Sequence, residues 1–249
     1  MLWVLDLDGV VWLAGTPIPG SAGAIKRLRL SGERIAFVTN NSTPLLSEHV
    51  KRLALAGVEA QPAEVVSSAQ AAASLLEPGS RATCVGGEGL REALELGRVQ
   101  VVPPDDQPDA VVVGRTMTLD FKPLSDAASA IRSGARFIAT NTDATFPTPH
   151  GLEPGAGALV ALLEVASGQK AETAGKPGKP MAELLKARFG DAGLVVGDRP
   201  DTDGLFARRL GADFALVLSG VTRASDLPVD PEPDLVEKDL ETVVRSRVG

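Results

Sequence analysis

Leu2-Trp3-Val4-Leu5-Asp6-Leu7-Asp8-Gly9-Val10 is the stretch on which the fold turns. Its first four residues are apolar and read as a buried strand. Two carboxylates, two residues apart, and a glycine follow at the carboxyl end. If Asp6 and Asp8 hold strand geometry, alternation by two puts both side chains on one face. Gly9 then lets the backbone turn tightly. In open α/β sheets this end of the strands is where ligands bind. Two carboxylates held there repel, which calls for a bound cation or a shared proton. Asp-x-Asp-Gly alone also reads as an acidic turn capping a strand, so the rest of the chain must decide.

Working outward, short β-rich runs alternate with helical stretches. Strands are expected at Ile35 to Val38, Val65 to Val66, Ala82 to Val85, Val99 to Val102, Ala110 to Val113, Phe137 to Ala139, Leu194 to Val196 and Phe214 to Leu218. Helices are expected at Ala22 to Leu30, Leu45 to Leu55, Ala69 to Leu76, Gly89 to Leu96, Leu124 to Arg132, Ala158 to Ala166, Met181 to Phe189 and Leu205 to Leu210. Val/Ile/Leu runs joined by helical crossovers predict a parallel sheet covered on both faces, an α/β fold. No fixed short repeat suggests a solenoid. The Pro-rich stretches Val102 to Pro108 and Leu227 to Pro233 read as surface connectors.

The chain has 249 residues, 44 % hydrophobic and 23 % charged, the balance of a globular protein. No apolar run approaches the ~18 residues of a membrane span. Its 25 Lys plus Arg against 32 Asp plus Glu give −7, which argues against a nucleic-acid surface. Cys84 is the single cysteine, so no internal disulfide can form, as suits a reducing compartment. The early carboxylate at Asp6 leaves no room for a signal peptide, and a cytoplasmic address is expected.

Three further strand ends carry chemistry. Thr39-Asn40-Asn41-Ser42-Thr43 follows an apolar strand and precedes a helix expected near Pro44. Its hydroxyls, amides and backbone N–H groups make either an anion site or a plain cap. Gly175-Lys176-Pro177-Gly178-Lys179-Pro180 fixes two lysines in a stiff turn, which read as a cation for a ligand or as a solvated basic loop. Gly197-Asp198-Arg199-Pro200-Asp201-Thr202-Asp203 closes another strand with acids that suit a metal or a helix dipole. Together these four ends hold the set needed to move a phosphoryl group onto a carboxylate. A cation between carboxylate and phosphate removes their repulsion. Thr, Asn and Lys hold the phosphoryl oxygens. A second carboxylate can protonate the leaving alkoxide and then activate water.

In these residues the sequence resembles the haloacid dehalogenase superfamily of aspartate-nucleophile phosphatases. Asp6-Leu7-Asp8-Gly9-Val10, Thr39, Lys176 and Gly197-Asp198-Arg199 with Asp203 match its four ordered motifs. More narrowly, Phe37-Val38-Thr39-Asn40-Asn41-Ser42, Gly175-Lys176-Pro177 and the stretch from Gly197 to Asp203 resemble the subfamily of NagD and p-nitrophenyl-phosphatase-like enzymes. Ala139-Thr140-Asn141-Thr142-Asp143 and Pro154-Gly155-Ala156-Gly157-Ala158 resemble its cap. The resemblance implies a Rossmann-like core at 1–78 and 175–249 with an inserted α/β cap at 79–174. It implies Asp6 as nucleophile and Mg²⁺ ligand, and Asp8 as general acid/base lending its carbonyl to the metal. Thr39 and Asn40 would hold the phosphoryl group, Lys176 would bridge it and the nucleophile, and Asp198 would complete the protein ligands, oriented by Asp203. A set of oxygen ligands is what Mg²⁺ prefers.

The substrate implied is a small phosphorylated metabolite. Pro108-Asp109-Ala110-Val111-Val112 and Ser67-Ser68-Ala69-Gln70 look most like actinobacterial glycerol-3-phosphate phosphatases. Nucleoside monophosphate, phosphoglycolate and pyridoxal phosphate stay open, and a homodimer is compatible with the resemblance. Substrate choice would sit on Arg115, Asn141 and Asp143. Pro200 and Gly204 stand where relatives carry aliphatic residues, and Arg115 where they often carry an acid. Lys179 offers a second lysine, with the Gly-Lys-Pro frame favouring Lys176. Gly155-Ala156-Gly157 reads as a closely packed helix start. Trp3 and Trp12 read as packing, His49 as a surface or packing histidine, Cys84 as an inert strand residue, and His150 as a cap-loop residue with a substrate role left open. Against a phosphatase stand a phospho-accepting receiver module and a phosphate-ester-binding protein without turnover.

Overall fold

A computed structural model describes residues 1–248. The chain divides into two packed units, one of Met1–Thr39, Ser47–Val66 and Ala182–Gly249, the other of Asn40–Leu46 and Ser67–Met181.

The first unit is built on a parallel sheet whose order, among the described residues, is Leu235–Glu237, Asp213–Val217, Leu194–Gly197, Leu2–Leu5, Arg34–Thr39 and Val65–Ser67. Leu2–Leu5 lies near its centre, with Leu5 level with Val196 on one side and Phe37 on the other. A central strand has no solvent-facing edge, and Leu2, Trp3, Val4 and Leu5 are all buried, which is why the run is apolar without alternation. Helix Ser21–Leu30 packs on the carboxyl-terminal helix Leu240–Val248. The close approach runs past Gly20, where a Cβ would meet Glu241.

In the second unit the sheet order is Glu172–Thr173, Arg136–Ala139, Ala110–Val113, Arg81–Val85 and Gln100–Val101, again parallel. Helices Phe121–Arg132 and Ala156–Ser167 bury Leu124, Ala127, Ile131, Leu159 and Leu163 against Val111, Val113 and Phe137. Pro123 is tolerated because it stands in the first helical turn, where its missing N–H has no intrahelical partner. Helix Ala156–Ser167 starts tightly: a Cβ at Gly155 or Gly157 would collide with the carbonyls of Asp143 or Thr142. The expected close packing at this helix start is therefore present.

The α/β reading holds, and the expected strands and helices are present with shifted ends. Strand Leu2–Leu5 stops before Asp6, although the Asp6 N–H still donates to Val196 O at 3.0 Å. Beyond it the chain leaves the sheet, so strand alternation does not set the direction of Asp8. The helix expected near Pro44 begins at Leu46. Elements the sequence reading omits are the hairpins Trp12–Leu13/Thr16–Pro17 and Thr145–Thr148/Gly151–Pro154, the strands Glu172–Thr173 and Leu235–Glu237, and the helix Leu240–Val248. Among the described residues, no helix is long and apolar enough to cross a membrane.

Candidate active site

The parallel register fixes which strand ends lie side by side. Leu5 is level with Val196 and Phe37, so Asp6, Asp198 and Thr39 leave the first unit's sheet at one edge. Carboxylate oxygens of Asp6, Asp198 and Asp203 lie within 4.8 Å of one another, and all three residues are buried. Asp203 arrives there through a π-helical turn, Pro200–Gly204, in which Asp203 N donates to Arg199 O at 2.7 Å. Its Oδ2 accepts from Arg199 N at 3.2 Å. A one-turn π-bulge is a recurrent way to aim a side chain at a functional site. Asp203 thus lies within reach of the other two carboxylates.

Glycines cradle the cluster. A Cβ at Gly9 or Gly220 would fall on the Asp198 carboxylate, and one at Gly197 on that of Asp203. Gly9 also has φ +81°, which L side chains rarely adopt. Val221 N donates to Asp198 Oδ2 at 2.6 Å. Gly204 faces Phe214 and Pro231 so closely that a Cβ would clash. Small residues at Gly9, Gly197 and Gly220 therefore let three carboxylates converge. Such convergence without a counter-charge is unfavourable. An oxygen-only, carboxylate-rich set fits a hard dication.

Asp8 follows on a tightly closed loop. Leu7 O accepts from Val11 N at 2.9 Å and from Trp12 N at 3.2 Å, while Gly9 N donates to Trp12 O at 2.6 Å. Ser219 Oγ donates to Gly9 O at 2.6 Å and Ser21 Oγ to Val10 O at 2.8 Å. Trp12 is buried, and its indole Nε1 donates to Asp8 Oδ1 at 3.1 Å. The sequence reading treats Trp12 as packing alone; the i, i+4 spacing of Asp8 and Trp12 is the signal that a returning loop makes meaningful.

Within the second unit, Asn40 and Lys176 meet. Asn40 Oδ1 accepts from Lys176 N at 2.8 Å, and Nδ2 donates to Lys176 O at 3.0 Å and to both Asp143 carboxylate oxygens at 3.3 Å. Asn141 Nδ2 and Ser68 Oγ both donate to Asn40 O, at 2.7 and 2.6 Å. The neighbouring strand ends bring this about: Gly175 N donates to Thr140 O at 2.7 Å just after Thr173 pairs with Ala139. Lys176 is buried, whereas Lys179 is exposed at the start of helix Lys179–Phe189. Asn40 thus holds the lysine loop with the same amide that the sequence reading gives to phosphate.

Of the specificity candidates named from sequence, Asn141 and Asp143 belong to this network, and Arg115 does not. Arg115 Nη2 pairs with Glu153 Oε2 at 2.5 Å, Nε donates to Pro154 O at 3.4 Å, and the guanidinium lies 4.3 Å from the Phe146 ring centroid. It braces the hairpin Thr145–Pro154. His150 is exposed at that hairpin's turn. Burial pushes the Cys84 thiol up to about 11, so it is not a nucleophile near neutrality.

Comparison with known proteins adds a family. A haloacid dehalogenase-like hydrolase model matches residues 3–98, and a HAD-hydrolase-like model matches residues 173–243. The D-glycerol 3-phosphate phosphatase of Mycobacterium tuberculosis is 42 % identical over 230 residues, 90 % of this chain. This chain spans 64 % of that relative's length. The acid sugar phosphatase of Staphylococcus haemolyticus is 36 % identical over 252 residues, 97 % of this chain and 94 % of that protein. A crystal structure of a glycerol phosphate phosphatase from Mycobacterium tuberculosis in complex with magnesium superposes with a TM-score of 0.90 at 39 % identity, over 97 % of this chain and 75 % of that one.

Proposed function

The chain belongs to the haloacid dehalogenase-like hydrolases, and from that premise we propose that it is a Mg²⁺-dependent phosphatase working through an aspartyl-phosphate at Asp6. The observation that carries this reading is the buried triad Asp6, Asp198 and Asp203 at the carboxyl edge of a parallel sheet. Asp6 and Asp198, with Asp203 beside them and the Asp8 carbonyl, would hold the metal. Bound there, Mg²⁺ supplies positive charge that offsets the repulsion between carboxylate and phosphate.

The chain's own groups do the rest. Asp6 attacks phosphorus and the ester P–O bond breaks, its electron pair leaving on oxygen. Asp8 gives that oxygen a proton, then as carboxylate takes one from the water that cleaves the aspartyl-phosphate. Thr39 and Lys176 hold phosphoryl oxygens, with fixed donors favouring charge that develops in the transition state. Asn40 contributes beside them by fixing the Lys176 backbone. Segment 79–174 is assigned as the cap, with Asn141 and Asp143 as its specificity candidates.

For substrate, we propose glycerol 3-phosphate, supported by the 42 % identity to a protein named for that activity. The test is phosphate release from a panel of glycerol 3-phosphate, sugar phosphates, nucleoside monophosphates, phosphoglycolate and pyridoxal phosphate, with Mg²⁺ and with chelator. Mg²⁺-dependent release with the highest kcat/KM on glycerol 3-phosphate supports the whole reading. A different best substrate overturns that choice alone, and no release from any ester overturns the phosphatase reading.

A further inference from the structure

Trp12 returns to Asp8 across a loop whose backbone closes without help from the indole. Three N–H groups, of Val10, Val11 and Trp12, converge on Leu7 O, Gly9 N bonds Trp12 O, and Ser219 and Ser21 anchor the carbonyls of Gly9 and Val10. Asp8 and Trp12 also form a local β-bridge, which brings the two residues alongside. Trp12 is buried and Asp8 half-buried, and the indole N–H donates to Asp8 Oδ1 at 3.1 Å, which gives that oxygen a fixed direction. A tryptophan used only for packing needs no particular donor direction, and Trp3, in strand Leu2–Leu5, buries its Nε1 with no hydrogen-bond partner among the described residues.

We infer that Trp12 is a positioning residue for proton transfer by Asp8. This rests on the phosphatase reading above and deepens it. An aspartate side chain on a loop samples several rotamers, and one fixed oxygen removes most of them. With Oδ1 held by the indole, the transferred proton travels on Oδ2. It passes from Oδ2 to the ester oxygen as the P–O bond breaks, leaving Asp8 as carboxylate. Both the aspartate and its orienting partner then come from one five-residue loop, and the indole adds direction, not charge.

The prediction depends on the leaving group. An alkoxide is strongly basic and needs a proton in the transition state, while p-nitrophenolate is weakly basic and departs without one. Loss of the indole N–H therefore lowers kcat/KM selectively. Trp12→Phe, and replacement of Trp12 by benzothienylalanine, which has sulfur where indole has N–H, are compared with wild type on glycerol 3-phosphate or another cleaved alkyl phosphate and on p-nitrophenyl phosphate. The expected result is a fall about 10-fold larger on the alkyl ester, a share of the 10²–10⁴ typical of general acid–base catalysis. Addition of Trp12→Phe to Asp8→Asn then costs little further on the alkyl ester. Equal losses on both esters, or none, overturn the positioning role; if Trp12→Phe does not fold, the sulfur isostere decides. Wild type that cleaves neither ester removes the phosphatase reading and this inference with it, whereas active wild type with equal losses removes this inference alone.

Discussion

The side-chain amide of Asn40 grips the backbone of Lys176 at both ends, accepting from its N–H at 2.8 Å and donating to its C=O at 3.0 Å, across 136 residues of sequence. A lysine ammonium on a four-carbon stem is flexible, and fixing its main chain limits where the charge can go. Asn40→Ala removes both of these buried bonds. Denaturant unfolding should show a loss of about 2–3 kcal/mol. Turnover should fall as well, because the lysine loop is then free to move. Unchanged stability and turnover would mean that the loop is held by its prolines and glycines alone.

The two lysines of Gly175-Lys176-Pro177-Gly178-Lys179-Pro180 should behave differently. Lys176 is buried and Lys179 is exposed at the start of a helix. Lys176→Ala should lower kcat/KM by about 10²-fold or more, the scale of losing one charge-stabilising donor. Lys179→Ala should stay close to wild type. Steady-state kinetics on the same ester separate the two, and the reverse order would move the catalytic lysine by three positions.

Metal affinity should depend on residues that have no side chain to offer. Adding a methyl at Gly220 places it on the Asp198 carboxylate, and one at Gly197 on that of Asp203. Gly220→Ala should raise the Mg²⁺ concentration for half-maximal activity by about 10–100-fold, the cost usual for disturbing the groups that orient metal ligands. Wild-type metal dependence in this variant would show that Asp198 has room to move aside.

The Cys84 thiol gives a prediction in pH. Burial disfavours the thiolate and pushes the group from 9.0 up to about 11. The folded chain therefore keeps this proton to higher pH than the unfolded chain, and the associated stability is intact below pH 9.0 and lost as pH rises through about 11. Alkylation by iodoacetamide should be slow at pH 8 and accelerate toward pH 11. Rapid alkylation at pH 8 would place the thiol in water.

Much of this was readable in the chain because it depends on local pattern. Leu2–Leu5 and Ala110–Val113 are buried on both faces, so their apolar runs carry no alternation and stand out. Asp6 and Asp198 could be paired by eye because each directly follows such a run. The hairpin Thr145–Pro154 was hidden by Pro147, Pro149 and Pro154, which ordinarily argue against strands but suit a two-stranded ribbon with open edges. Gly220 was invisible as a site residue because its contribution is the absence of a Cβ beside Asp198, a purely tertiary fact. The resemblance gives Asn40 a phosphoryl-holding role; its engagement with Lys176 is a tertiary fact that needs the second sheet to bring Thr173 beside Ala139.

Phosphoryl transfer to Asp6 is tested most directly by trapping. Protein turning over its best ester with Mg²⁺ is quenched and treated with borohydride, which reduces an aspartyl-phosphate to homoserine, and the peptide containing residues 2–10 is examined by mass spectrometry. Homoserine at position 6, absent without substrate and absent in Asp6→Asn along with phosphate release, is the expected result. Steady phosphate release with no modification at position 6, and persisting in Asp6→Asn, would contradict it.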